Sequence, residues 1–122
     1  MKIQAERPQG QNVVTAYGPG FVTINAQTHH DSLIIGHDRV LLHWPVKSVS
    51  ELNVTDLSGL EKNCDVILLG TGLRQVFPPR AILTSLMRDR IGIEVMDTAA
   101  ACRTYNILLA EGRAVIAALI IE

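Results

Sequence analysis

Residues 65–122 carry the pattern that most constrains this chain: an apolar run, a Gly-Thr-Gly turn, a helical stripe, a second apolar run, a second helix and a last apolar run. Val66-Ile67-Leu68-Leu69 is unbroken by polar residues, which predicts a strand covered on both faces, as in a parallel sheet. Pro79 suits the first position of a helix, where its missing N–H is not needed. Ile82, Leu83, Leu86 and Met87 recur at helical spacing and predict one apolar stripe, with Arg80, Thr84, Arg88 and Asp89 on the other side. Gly92 is expected as the stop of that helix. Residues 93–96 read as the next strand, and Asp97 or Thr98 can cap the helix that follows and ends at Gly112. AVIAALII returns as a buried strand, so two successive crossovers predict parallel strands with right-handed connections. The fold class is α/β.

The first half reads differently. VVTAY and FVTI flank Gly18-Pro19-Gly20 and predict a hairpin, while SLIIG and RVLLHW flank His37-Asp38 and predict a second. Pro45 is expected to end the latter, because proline cannot donate to a ladder. This antiparallel portion is expected to extend the sheet. Between Ser48 and Asn63 the chain is polar with scattered leucines, and a helical turn is expected over 57–62.

At 122 residues there is room for one core, so a single domain over 1–122 is expected. Hydrophobic residues make up 48% and aromatics 4%, so that core must be built from Leu, Ile, Val and Ala. A net charge of -1 without a Lys/Arg cluster argues against nucleic acid as a partner. MKIQAERPQG lacks the apolar core of a secretory signal, and no apolar run approaches the ~20 residues of a membrane span. A soluble, cytoplasmic protein is the expectation. Cys64 and Cys102 have no CxxC or Cys/His spacing and read as reduced thiols.

Loops leaving strand C-termini share one edge of an α/β sheet, which puts Gly70-Thr71-Gly72 and Asp97-Thr98 on the same side. With Arg74, Arg80 and Arg103 nearby, backbone N–H groups and a guanidinium could hold an anion there. Gly70, Thr71, Gly72, Arg74, Asp97, Thr98 and Arg103 are therefore the candidate ligand crevice. The plain alternative is that the glycines serve backbone conformation and Asp97 caps a helix, because the third glycine of a dinucleotide fingerprint and the Lys-Ser/Thr of a P-loop are both missing. Cys102 is read as a core thiol over a nucleophile, since it sits at the limit of the first helical turn, where the dipole fades. His29 and His30 are adjacent, so on a strand they face opposite ways and do not readily share a metal. Arg103, Tyr105 and Asn106 could line the crevice or an interface. No hydrolase signature is present, no cofactor is implied, and no catalytic residue is assigned.

EVMDTAAACRTYNILLAEGR, with VILLGTG, FPPR, YGPGFVTIN and LLHWPV, resembles the Mth-type domain family of unknown function, to which the mitochondrial respiratory complex I assembly factor three and the adipogenesis-associated Mth-domain protein belong. That resemblance implies a three-layer α/β/α sandwich around a mixed sheet and a protein-binding or assembly-factor-like role, with another protein as partner. It does not imply an enzyme. The chain looks like a bacterial form made of the domain alone. Binding of a small molecule or anion at the crevice, as in an enzyme, is the alternative.

Overall fold

The computed structural model describes residues 12–57, 59–60, 64–88 and 92–122. In chain order the strands are β1 (Val14–Gly18), β2 (Phe21–Ile24), β3 (Gln27–His29), β4 (Leu33–Gly36) and β5 (Arg39–Leu41). Short 3-10 turns at Val49–Glu51 and Val54–Leu57 lead to β6 (Val66–Gly70), helix α1 (Arg80–Arg88), β7 (Gly92–Met96), helix α2 (Thr98–Ala110) and β8 (Val115–Leu119). The turn expected over 57–62 falls partly outside the described residues, as does Asp89.

The main sheet has the order β5-β4-β8-β6-β7. β6 runs parallel to both β7 and β8, as the crossovers require, and β4 is antiparallel to β5 and β8. Alternation along the strands splits the core into two. Val66 and Leu68, Val115, Ala117 and Leu119, and Leu33 and Ile35 face α2, whereas Ile67 and Leu69, Ile116 and Ala118, and Ile34 face α1 and the 3-10 turns. Both faces are covered, so the mixed sheet is the middle layer of an α/β/α sandwich, as expected. The direction of travel reverses between the crossovers, which places α1 and α2 on opposite faces.

Three details depart from the sequence reading. The first hairpin does not extend the main sheet: β1, β2 and β3 form a separate three-stranded sheet. β3 follows a two-residue turn in which Asn25 (φ 49°) and Ala26 (φ 77°) are both left-handed. Second, Gly92 does not stop α1 but opens β7, paired with Val66. Third, Met87 is exposed, so the stripe of α1 narrows to Ile82 and Leu86, with Leu83 half-buried. β5 ends at Leu41, ahead of Pro45, and the chain turns through a left-handed His43 (φ 57°) so that the Trp44 N–H reaches the Ser32 carbonyl at 2.9 Å.

The second sheet is held to α2 by the polar side chains of that helix. The Asn106 amide accepts from the Val14 N–H (3.1 Å) and donates to the Val14 carbonyl (2.6 Å), taking the place of a neighbouring strand. Tyr105 is fully buried and its hydroxyl donates to the Asn12 carbonyl at 2.8 Å. Arg103 donates to the Tyr17 hydroxyl at 3.2 Å. Of the two places open to these three residues, crevice or interface, they take an interface within the chain. Asn106→Ala leaves two backbone groups of β1 without partners and should cost about 1–3 kcal/mol in urea denaturation, with faster hydrogen exchange at Val14. Ile107→Ala, at an exposed position one residue on, should stay within about 0.5 kcal/mol of the parent chain.

Candidate functional site

The C-terminal ends of β6, β7 and β8 meet at one edge of the sheet, and a set of short hydrogen bonds joins them. Thr71 N–H donates to the Met96 carbonyl and Ile120 N–H to the Gly70 carbonyl, both at 2.9 Å. The Thr98 hydroxyl donates to the Ile120 carbonyl (2.7 Å) and accepts from Gly72 N–H (2.8 Å), and Thr98 N–H donates to the Gly72 carbonyl (2.9 Å). One side chain therefore connects all three strand ends. Gly70 is needed for this approach: a Cβ there would lie 3.0 Å from both Cα and Oγ1 of Thr98.

Asp97 caps α2, its Oδ1 accepting from Ala100 N–H at 2.8 Å. Leu73 N–H donates to Oε1 of Glu122 at 2.8 Å. Gly72 has φ 98°, and a Cβ on it would collide with the Glu122 carboxylate. The N–H groups of residues 71–73 are thus all bonded within the chain, that of Leu73 to the charged carboxylate of Glu122.

Beside this junction lies a cavity of about 310 Å³. Its roof is the tip of the β1–β2 hairpin, where Pro19 precedes Gly20 (φ 79°), the pairing that a type II turn favours. Gly72, Asp97 and Thr98 line it, together with Tyr17, Phe21, Leu73, Ile120 and Glu122. The other expected site residues are placed elsewhere. Gly70 is buried in β6, and the Thr71 hydroxyl is directed to the carbonyls of Arg74 and Met96 while accepting from Val76 N–H. Thr71 and Arg74 border a second, smaller groove of about 200 Å³ with Ser48 and Ser50, and Glu122 lines both spaces. Arg103 stands outside the cavity, its guanidinium carbon 5.9 Å from the centroid of the Tyr17 ring. Its hydrogen bond to Tyr17, and more weakly the charge of Asp97, push its pKa above the ordinary value. Sequence reasoning missed Glu122 and the hairpin tip. The signal available for Glu122 was topological: a residue just beyond a parallel strand ends on the same edge as Gly72.

Cys102 is a core thiol, as read: it is fully buried and burial pushes its pKa up to about 12. Burial also raises the Tyr105 hydroxyl above its usual range. Among the described residues no group of three or more His, Cys, Asp or Glu is placed to hold a metal.

The profile of a family described as "Protein of unknown function (DUF498/DUF598)" matches residues 14–120. The chain belongs to this family. It is 35% identical, over 98% of its own length and 70% of the relative's, to a Danio rerio protein named NADH dehydrogenase [ubiquinone] 1 alpha subcomplex assembly factor 3. It is 29% identical, over 93% of its length and 94% of the relative's, to a "13 kDa major membrane protein" of Francisella tularensis. Among solved structures, a Bordetella parapertussis protein superimposes with a TM-score of 0.87 at 34% identity, covering 93% of this chain and 98% of that one. A Bordetella pertussis protein described as a Mth938-like domain gives 0.81 at 31% identity, covering 98% and 92%. The Mth-type resemblance and the fold it implied are therefore borne out.

Two outcomes follow from this geometry. Thr98→Val removes the hydroxyl shared by two strand ends and should cost about 1–3 kcal/mol in urea denaturation, whereas Thr98→Ser should restore most of that loss. Cys102 and Tyr105 are held protonated by the fold, so above the thiol's ordinary value of 9.0 the folded chain binds more protons than the unfolded one. Their contribution is complete below that pH and lost as pH rises toward about 12, so denaturation midpoints should fall across that interval. Cys102→Ala should flatten part of the slope.

Proposed function

We propose that this chain is a protein-binding module of the assembly-factor kind, acting by docking on another polypeptide. The observation that carries this reading is the loop between β6 and α1, which leaves Leu73 (62%), Val76 (47%) and Phe77 (69%) exposed on one short segment. Single exposed apolar residues are ordinary, but three within five positions, Leu73 on the cavity wall and Val76 on the neighbouring groove, make an apolar segment of the kind that marks interaction sites. A large aromatic at such a patch is a frequent anchor in protein interfaces. The assembly-factor name of the Danio rerio relative supports the same reading, because the match there covers 98% of this chain.

The anion-binding reading lacks this support, since the turn donors it needs are already bonded within the chain. No helix among the described residues is long and apolar enough to cross a membrane. A cytoplasmic place of action belongs to this proposal, and cell fractionation against the membrane-named Francisella relative tests it directly.

Co-purification at native expression should recover a stoichiometric protein partner. Phe77→Asp should remove it while changing stability by no more than about 0.5 kcal/mol, whereas Met87→Asp, equally exposed on α1, should retain it. Recovery of background proteins alone with the parent chain would overturn the reading.

A further inference from the structure

The cavity under the hairpin tip combines apolar walls with an excess of negative charge. Tyr17, Phe21, Leu73 and Ile120 supply the walls, and Asp97 and Glu122 the two carboxylates. Each carboxylate spends one oxygen inside the chain, Asp97 Oδ1 on Ala100 N–H and Glu122 Oε1 on Leu73 N–H. Among the described residues the second oxygen of each accepts no hydrogen bond and forms no ion pair. Among the described residues no Lys or Arg lines the cavity: Arg74 shares the neighbouring groove with Glu122, and Arg103 is held on Tyr17, where the charge of Asp97 acts on it without an ion pair.

Such a space complements a cation carried on an apolar stem. The stem would lie along the aromatic and aliphatic walls, and the head would reach the free carboxylate oxygens as a charge-assisted donor. At about 310 Å³ the cavity is near the small end of ligand sites, enough for one long side chain and its backbone. Leu73 belongs both to the cavity wall and to the exposed apolar loop, so a polypeptide that covers Leu73 lies beside the cavity, while Val76 borders the neighbouring groove. We propose that the cavity receives one basic side chain, arginine or lysine, from the partner polypeptide that docks on the loop. This rests on the protein-binding reading above and specifies the chemistry that the partner must present.

The test uses the whole chain, isotopically labelled, titrated in nuclear magnetic resonance with N-acetyl-arginine methylamide, its lysine counterpart and its norleucine counterpart. The basic probes should shift the amides of Gly72, Leu73, Thr98 and Ala99, and norleucine should bind at least roughly tenfold more weakly. Doubling the salt should weaken the basic probes and leave norleucine unchanged. The double variant Asp97→Asn with Glu122→Gln keeps an N-cap and a hydrogen-bond acceptor, so its spectrum away from the cavity should match the parent while binding of the basic probes drops at least roughly tenfold. Equal binding of norleucine, unaltered binding by the double variant, or no shifts with any probe would overturn the proposal.

Partner capture separates the two levels. If the double variant captures the partner as strongly as the parent while Phe77→Asp does not, the cavity assignment fails and the docking reading stands. If the basic probes bind but no partner is ever captured, the docking reading fails, and with it a polypeptide as the source of the cation. Loss of capture in both variants supports the two together.

Discussion

Everything at the cavity edge of the sheet depends on β8 lying between β4 and β6. This strand must pair antiparallel on one side and parallel on the other, and every residue from Val115 to Leu119 is inaccessible to solvent. Burying a Val, Leu or Ile side chain contributes roughly 1.5–3 kcal/mol, against about 1 kcal/mol for a typical hydrogen bond. Burial thus decides that β8 sits at the centre, while hydrogen bonds decide where its end points. Because β8 runs with β6 and β7, its last residues emerge beside Gly72 and Asp97, and Glu122 is delivered to the turn that precedes α1.

The same constraint explains why α2 carries polar residues on what would otherwise be a solvent face. The helix is covered twice, by the main sheet through Ala101, Cys102 and Leu109 and by β1 through Tyr105 and Asn106. A backbone edge is the second covering, and a backbone edge demands partners for its N–H and carbonyl groups. Asn106 supplies both from one side chain. β1 also carries an irregularity between Val14 and Ala16, so the residue bonded to Asn106 lies where the strand's own ladder is interrupted. Fixing β1 in this way fixes the hairpin tip, and the tip is the roof of the cavity.

The second half of the chain was legible because its strands are covered on both faces and its helices are bounded by Pro79, Asp97 and Gly112. The first half was legible only in part. Both expected hairpins form, but β3 is three polar residues after an Asn25-Ala26 turn that lacks the usual glycine. Nothing local told that β1–β3 would leave the main sheet, since that choice is made by contacts more than 80 residues away, at Tyr105 and Asn106. Gly92 was misread for a related reason: as part of an edge strand it needs no left-handed conformation, and glycine there looks the same as a helix stop. At the site, Gly72, Asp97 and Thr98 were found by their place on a strand end, while Arg74 and Arg103 were drawn in by charge alone and face other surroundings.

The sign of the site is the point at which motif and topology disagree. A glycine turn ahead of a helix, with arginines near, suggests an anion; the fold instead brings a carboxylate of its own to the Leu73 N–H and leaves Asp97 across the same cavity. A phosphate entering there would face two like charges, each worth about 1 kcal/mol of repulsion at 4 Å in water and about 4 kcal/mol at the effective dielectric of a protein surface. Among the described residues those charges also lack a cation within the cavity lining, because Arg103 is bonded to Tyr17 outside it. The arginine that the sequence reading placed with an anion packs on Tyr17 instead, and the charged groups of the described lining are carboxylates. Specificity in such a site comes as much from what the carboxylates repel as from what they bind.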